Sequence, residues 1–236
     1  MSTQTTRMPD SMEFNNMIPI LVALILVVFT YVLLKQLFGR AKGNTLIMVG
    51  IEGSGKTALY AQLVAGKEVQ TQSSITENST QLTDPLLKIV DVPGNARLRG
   101  DIFSKYSNSV RGVVVVVDSA DFVDHVRECS EVLYEVLLNS DVQRSKCPVL
   151  VFCNKQDEEM SRGPDPIRSA MERELTTLNN TAVNALSDDS GSQKMLGPAN
   201  ETIKLEKLGN KVTSVGGVCI GADTDISKLN TWIAAL

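Results

Sequence analysis

The sequence predicts an α/β fold, a mostly parallel sheet with helices on both faces, preceded by one transmembrane helix. Residues 45–49, 86–92, 113–117 and 149–153 are apolar runs with little polar alternation and are mostly rich in β-branched residues. That pattern belongs to strands buried on both faces, as in parallel sheets. Between the last two runs, Val123, Val126, Cys129, Val132, Leu133, Val136 and Leu137 recur every three or four residues. The spacing predicts an amphipathic crossover helix over residues 122–139. Residues 18–34 form an uncharged apolar run, which at about 1.5 Å per residue roughly matches a hydrocarbon core about 30 Å thick.

In chain order, residues 1–16 read as a short lumenal N-terminus and residues 17–38 as the membrane helix. Arg7, Asp10 and Glu13 precede the run, whereas Lys35, Arg40 and Lys42 crowd its far end. Positive charge marks the cytosolic side, so residues 39–236 are expected to face the cytosol. A cleaved signal peptide would have a shorter apolar region ending in small residues, and Leu33-Leu34-Lys35-Gln36-Leu37-Phe38 offers no such exit. In that orientation the sequons at Asn78, Asn179 and Asn200 are chance matches. Residues 45–49 then start the cytosolic domain as a strand. A Gly-rich turn follows, and residues 57–64 continue with the helical spacing of Leu59 and Leu63. Ile226, Leu229, Trp232 and Ile233 predict a closing helix on the sheet. Residues 179–207 are rich in Asn, Ser, Thr, Gly and Asp without a sustained period, and are expected to form a mobile surface insertion.

Composition narrows the chemistry. The 236 residues carry a formal net charge of −4 with a pI near 5.2. There is no basic excess to track a phosphate backbone, so direct nucleic-acid binding is not expected. His125 is the only histidine, which excludes a paired-histidine zinc site and a His-centred hydrolase. Cys129, Cys147, Cys153 and Cys219 are scattered with no C-x-x-C, as expected of reduced, buried thiols.

Gly50-Ile51-Glu52-Gly53-Ser54-Gly55-Lys56-Thr57 fits G-x-x-x-x-G-K-[ST] and lies between a strand and a helix that begins through Ala58. Its glycines let successive N–H groups point at α and β phosphates, with the helix N-terminus adding partial positive charge. Lys56 would reach the β and γ phosphates and Thr57 would offer its hydroxyl to Mg²⁺. Asn154-Lys155-Gln156-Asp157 follows the last apolar run and fits N-K-x-D. The Asp157 carboxylate can accept from guanine N1–H and the exocyclic amine, a pairing adenine cannot reciprocate, while Lys155 covers the base with its aliphatic stem. Asp91-Val92-Pro93-Gly94 resembles D-x-x-G, with Asp91 on Mg²⁺ through water and the Gly94 N–H toward a γ phosphate. Upstream, Gln72, Ser73, Ser74 and Thr76 fall where a first switch loop belongs; Ser74 fits one register and Thr76 fits by residue type, and both remain candidates for Mg²⁺.

With these elements in order behind an amino-terminal anchor, the chain resembles the signal recognition particle (SRP) receptor beta family, Arf-like small GTPases with a P-loop NTPase fold. The resemblance implies GTP/GDP and Mg²⁺ as ligands and the receptor alpha subunit as a heterodimer partner, with the ribosome or translocon nearby. It also implies a location in the endoplasmic reticulum membrane, where the GTP form tethers the alpha subunit for co-translational targeting. An Arf-like trafficking GTPase with an anchor, or a non-hydrolysing GTP-bound dock, are the alternatives. Ser2 follows the initiator methionine, which excludes myristoylation. Asn95 stands where many GTPases have the water-orienting glutamine, and Glu52 puts a carboxylate inside the phosphate loop; both predict slow hydrolysis. The base-covering S-A-K element is only echoed by Ser214-Val215-Gly216, where the Val215 N–H would serve guanine O6. Arg97, Arg99 and Lys105 are candidates for presenting cations to an acidic partner surface.

Overall fold

The computed structural model describes residues 19, 21–31, 43–66, 77–83, 86–186, 195–198 and 200–236. The chain divides into two compact units, residues 1–41 and residues 42–236. In the first, residues 21–31 are helical, and the remainder of the expected 17–38 span, apart from residue 19, lies outside the described residues. Among the described residues, no helix is long and apolar enough to cross a membrane.

The second unit is built on one six-stranded sheet of order β2-β3-β1-β4-β5-β6. Its strands are β1 (Thr45–Val49), β2 (Asn78–Thr83), β3 (Leu86–Asp91), β4 (Val110–Asp118), β5 (Val149–Asn154) and β6 (Val212–Gly216). All pairings are parallel except β2 with β3. The helices are α1 (Lys56–Ala65), α2 (Ala96–Ser107), α3 (Val126–Leu138), α4 (Ser140–Ser145), α5 (Pro164–Leu186) and α6 (Ser227–Ala234). Because strand side chains alternate faces, each uniformly apolar strand feeds two cores. Ile47, Val49, Val113, Val115, Val149 and Val151 pack with α3 and with Ile167, Met171 and Leu175 of α5. Leu46, Met48, Val114, Val116, Leu150 and Phe152 pack with Ala58 and Leu59 of α1 and Leu229 and Ile233 of α6.

The predicted strands are present to within a few residues, and the expected 122–139 helix starts four residues late, its first turn being non-helical. Two edge elements differ more. The polar strand β2, Asn-Ser-Thr-Gln-Leu-Thr, carries no apolar signal because it pairs on one side only. The expectation of a patternless insertion over residues 179–207 is corrected at both ends. Helix α5 continues through residue 186, while Ile203 and Leu205 are buried.

Polar side chains of α5 hold the returning segment. The fully buried Asn179 accepts from Leu196 N at 3.0 Å and donates to Gly197 O at 3.1 Å. Thr176 accepts from Ile203 N at 3.0 Å, and Glu172 accepts from Leu205 N at 3.0 Å and from Lys204 Nζ at 2.7 Å. Asparagine and threonine at these positions erase the helical hydrophobic period, which is why composition read as a loop. Asn179→Ala removes the partner of a half-buried donor and a half-buried acceptor and is expected to cost about 1–3 kcal/mol, read from the denaturant midpoint. An unchanged midpoint would mean that the segment is held elsewhere.

All four cysteines are reduced and buried, and burial pushes their thiols up to about 12.

Candidate functional site

The site lies at the carboxyl ends of the parallel strands, where α/β sheets place ligands. The loop after β1 enters α1 at Lys56, with Gly53 and Gly55 at φ 78° and 89°, a left-handed conformation that disfavours a side chain. At Gly55 a Cβ would also stand 2.2 Å from Asn154 Nδ2. The loop is braced from within: the Ser54 hydroxyl and Lys56 Nζ donate to Ile51 O at 2.9 and 2.6 Å. Burial lowers the Lys56 ammonium to about 8, against the opposing pull of Asp91 and Glu52.

Strand β3 delivers Asp91, which is 1% exposed. Its Oδ2 accepts from the Thr57 hydroxyl at 2.9 Å and Asn78 Nδ2 at 3.4 Å, while its Oδ1 is buried with no hydrogen-bond partner among the described residues. Burial raises this carboxyl above its ordinary range, partly offset by Thr57 and Lys56. A buried carboxylate oxygen without a partner beside a threonine hydroxyl suits a hard cation, so Thr57 and Asp91 fit Mg²⁺.

Strand β5 delivers Asn154, which joins three loops. Its Nδ2 donates to Ser54 O at 3.1 Å and its Oδ1 accepts from Cys219 N at 3.2 Å. Lys155 follows at φ 61°, unusual for a residue with a side chain. Its ammonium contacts the Asp118 carboxylate, and this pairing raises its pKa although burial opposes its charge. Asp118 in turn accepts from the backbone N–H of Ala120 and Asp121 at 3.0 and 3.3 Å. Asp118 was not singled out in the sequence. It ends β4 in register with Asn154, and that position was the available signal.

Together these segments border a cleft of about 530 Å³. Glu52, Lys56, Thr57, Asp91 and Gly94 line one side; Asn154, Lys155, Asp157, Cys219, Ile220 and Gly221 line the other. The family model described as signal recognition particle receptor beta subunit matches residues 41–212. The mouse signal recognition particle receptor subunit beta is 32% identical over 234 residues, spanning 93% of this chain and 87% of the mouse protein. The chain belongs to the SRP receptor beta family.

Membership extends to three dimensions. The solved mammalian SRP receptor structure is 32% identical, with a TM-score of 0.70 over 81% of this chain and 98% of that one. Two Chaetomium thermophilum SRb structures share the fold. One holds GDP and Mg (22% identical, TM-score 0.66, 83% and 98% covered), and the other holds GTP in complex with SRX (20%, 0.62, 83% and 99%).

Within this SRP receptor beta domain the cleft gathers most of the residues expected from sequence, including Gly53, Gly55 and Ala58. Gly50, Ile51 and Ser54 support the loop and do not line the cleft. Gln72, Ser73, Ser74 and Thr76 lie outside the described residues. Three further sets of candidates stand apart from that lining. Val215 sits inside β6, opposite Phe152, and does not line the cleft; residues 218–221 take that place, with Cys219 N held by Asn154. Asn95 accepts from Arg97 N at 3.0 Å as the cap of α2, so its side chain starts a helix and does not line the cleft. Arg99 is buried and paired with Glu135, and Lys105 is engaged by Glu77, so neither is an unpaired cation awaiting a partner.

Proposed function

We propose that the chain is the membrane-anchored GTP-binding subunit of the SRP receptor, whose GTP form binds the receptor alpha subunit and tethers it at the endoplasmic reticulum membrane. The observation that carries this reading is the single cleft shared by the phosphate loop, Asp91 and the Asn154-Lys155-Gln156-Asp157 turn. Lys56 would meet the β and γ phosphates, Thr57 and Asp91 would hold Mg²⁺, and Asp157 would read guanine. A magnesium ion held by Thr57 and Asp91 would supply positive charge against the terminal phosphates. The SRb–GTP/SRX complex supports an alpha-type partner for the GTP form. Leu21, Leu24, Ile25, Val27 and Phe29 in the helical stretch 21–31 are all exposed, an apolar surface suited to lipid and consistent with a single-pass span over residues 17–38 with the GTPase domain cytosolic. The ribosome and translocon would then be near neighbours.

The engagement of Asn95 as a helix cap favours slow hydrolysis, and with it a second reading as a long-lived GTP-bound dock. Alpha-subunit binding by the full chain in lipid nanodiscs, loaded with GDP or a non-hydrolysable GTP analogue, separates the readings. Strong preference for the GTP form supports a switch, whereas equal affinity leaves the dock.

A proton linkage tests Lys56. Its free pKa is about 8, and bound phosphates raise it. The affinity contributed by the charged ammonium is therefore complete below pH 8 and falls, by up to about tenfold per pH unit, as the pH rises above it. Calorimetric GDP titrations at pH 8.5, in buffers of different ionisation enthalpy, are expected to show proton uptake. Uptake near zero would place Lys56 fully charged before phosphate arrives.

A further inference from the structure

The geometry points to Arg99 and Glu135 as a positioning pair that holds the turn at Gly94 ready for a third phosphate. This rests on the guanine-nucleotide reading above and adds to it two residues outside the nucleotide motifs.

Arg99 lies one helical turn beyond the Asn95 cap, its N–H bonded to Asn95 O at 3.0 Å. Helical side chains lean toward the helix N-terminus, so its guanidinium reaches back to the turn that precedes α2. There Nη1 donates to Gly94 O at 3.4 Å. The other face of the guanidinium is gripped from α3: Nε and Nη2 donate to Glu135 Oε2 and Oε1 at 3.0 and 3.2 Å. The Arg99 side chain is 8% exposed and that of Glu135 is 55% exposed. A guanidinium buried this deeply is costly unless its hydrogens are satisfied, and a bidentate carboxylate is the geometry that satisfies them. Neither residue lines the cleft, so nucleotide contact does not explain the pair.

The turn itself has little slack. A Cβ at Gly94 would stand 2.6 Å from Glu52 N, so the turn already lies against the phosphate loop. Pro93 restricts the backbone before Gly94 and the Arg99 hydrogen bond fixes the carbonyl after it. A turn held in this way loses less freedom when its N–H engages a γ phosphate, and that saving applies to GTP and not to GDP.

The test compares the full chain in nanodiscs with its Glu135→Gln and Arg99→Lys variants, measuring affinities for GDP and for a non-hydrolysable GTP analogue by fluorescent-nucleotide competition. Glu135→Gln acts at a half-exposed position and leaves no cavity, so it remains informative if Arg99→Lys fails to fold. The expected result is a fall of about tenfold or more in analogue affinity with GDP affinity retained. Equal loss for both nucleotides, no loss, or a gain for the analogue would overturn the positioning role. Absence of guanine-nucleotide binding by the wild type is a separate failure, of the functional reading itself.

Discussion

Asp157→Asn is expected to weaken guanine-nucleotide binding by at least about 100-fold and to raise the affinity for xanthine nucleotides. The carboxylate borders the cleft beside Lys155 and Glu158, where it can accept from both guanine N1–H and the exocyclic amine. Each charge-assisted hydrogen bond contributes about 1.5–3 kcal/mol, so removing the acceptor pair costs at least about 3 kcal/mol. An asparagine amide donates where the carboxylate accepted, and xanthine presents a carbonyl at the position of the guanine amine. Competition of GDP and XDP against a fluorescent nucleotide measures the exchange. If base preference stayed with guanine in the variant, Asp157 would not be the reader.

Asn154→Ala is expected to lower stability by about 2–5 kcal/mol and to weaken nucleotide binding with it. Asn154 is 3% exposed and its amide bonds backbone groups of two other loops, Ser54 O and Cys219 N. Truncation leaves a buried carbonyl and a buried N–H unpaired, at about 1–3 kcal/mol each. It also removes the side chain that backs Gly55, so the phosphate loop and the loop around Cys219 lose their common anchor. Chemical denaturation of the nucleotide-free chain reports the first effect and competition binding the second. A loss under 1 kcal/mol would show that the loops are held together by other contacts.

These two residues differ in how they could be read. Asp157 is legible because its proposed role is chemical: a carboxylate at a fixed offset from an asparagine and a lysine is recognisable wherever the chain goes. Lys56, Thr57 and Asp91 are legible on the same ground, and the apolar runs around them are legible because strands buried on both faces cannot tolerate polar side chains. The third dimension assigned what depends on meeting a distant segment. Asp118 acquires a role only because β4 and β5 pair in register, which brings its carboxylate to Lys155. Arg99 reads as a surface cation until the packing of α2 on α3 buries it against Glu135. Asn179 reads as loop composition until its amide meets the backbone at Leu196 and Gly197. Val215 is placed apart from the cleft for a related reason: the strand continues through it, so the lining begins at Val218. The sequence by itself determined the fold class, the strand order of chemistry along the chain and the motif residues of the cleft, because apolar periodicity and phosphate-binding spacing are local properties. The tertiary structure alone decided which polar side chains are partners, because a buried hydrogen bond is set by which backbone groups packing leaves unsatisfied, and those lie tens of residues away.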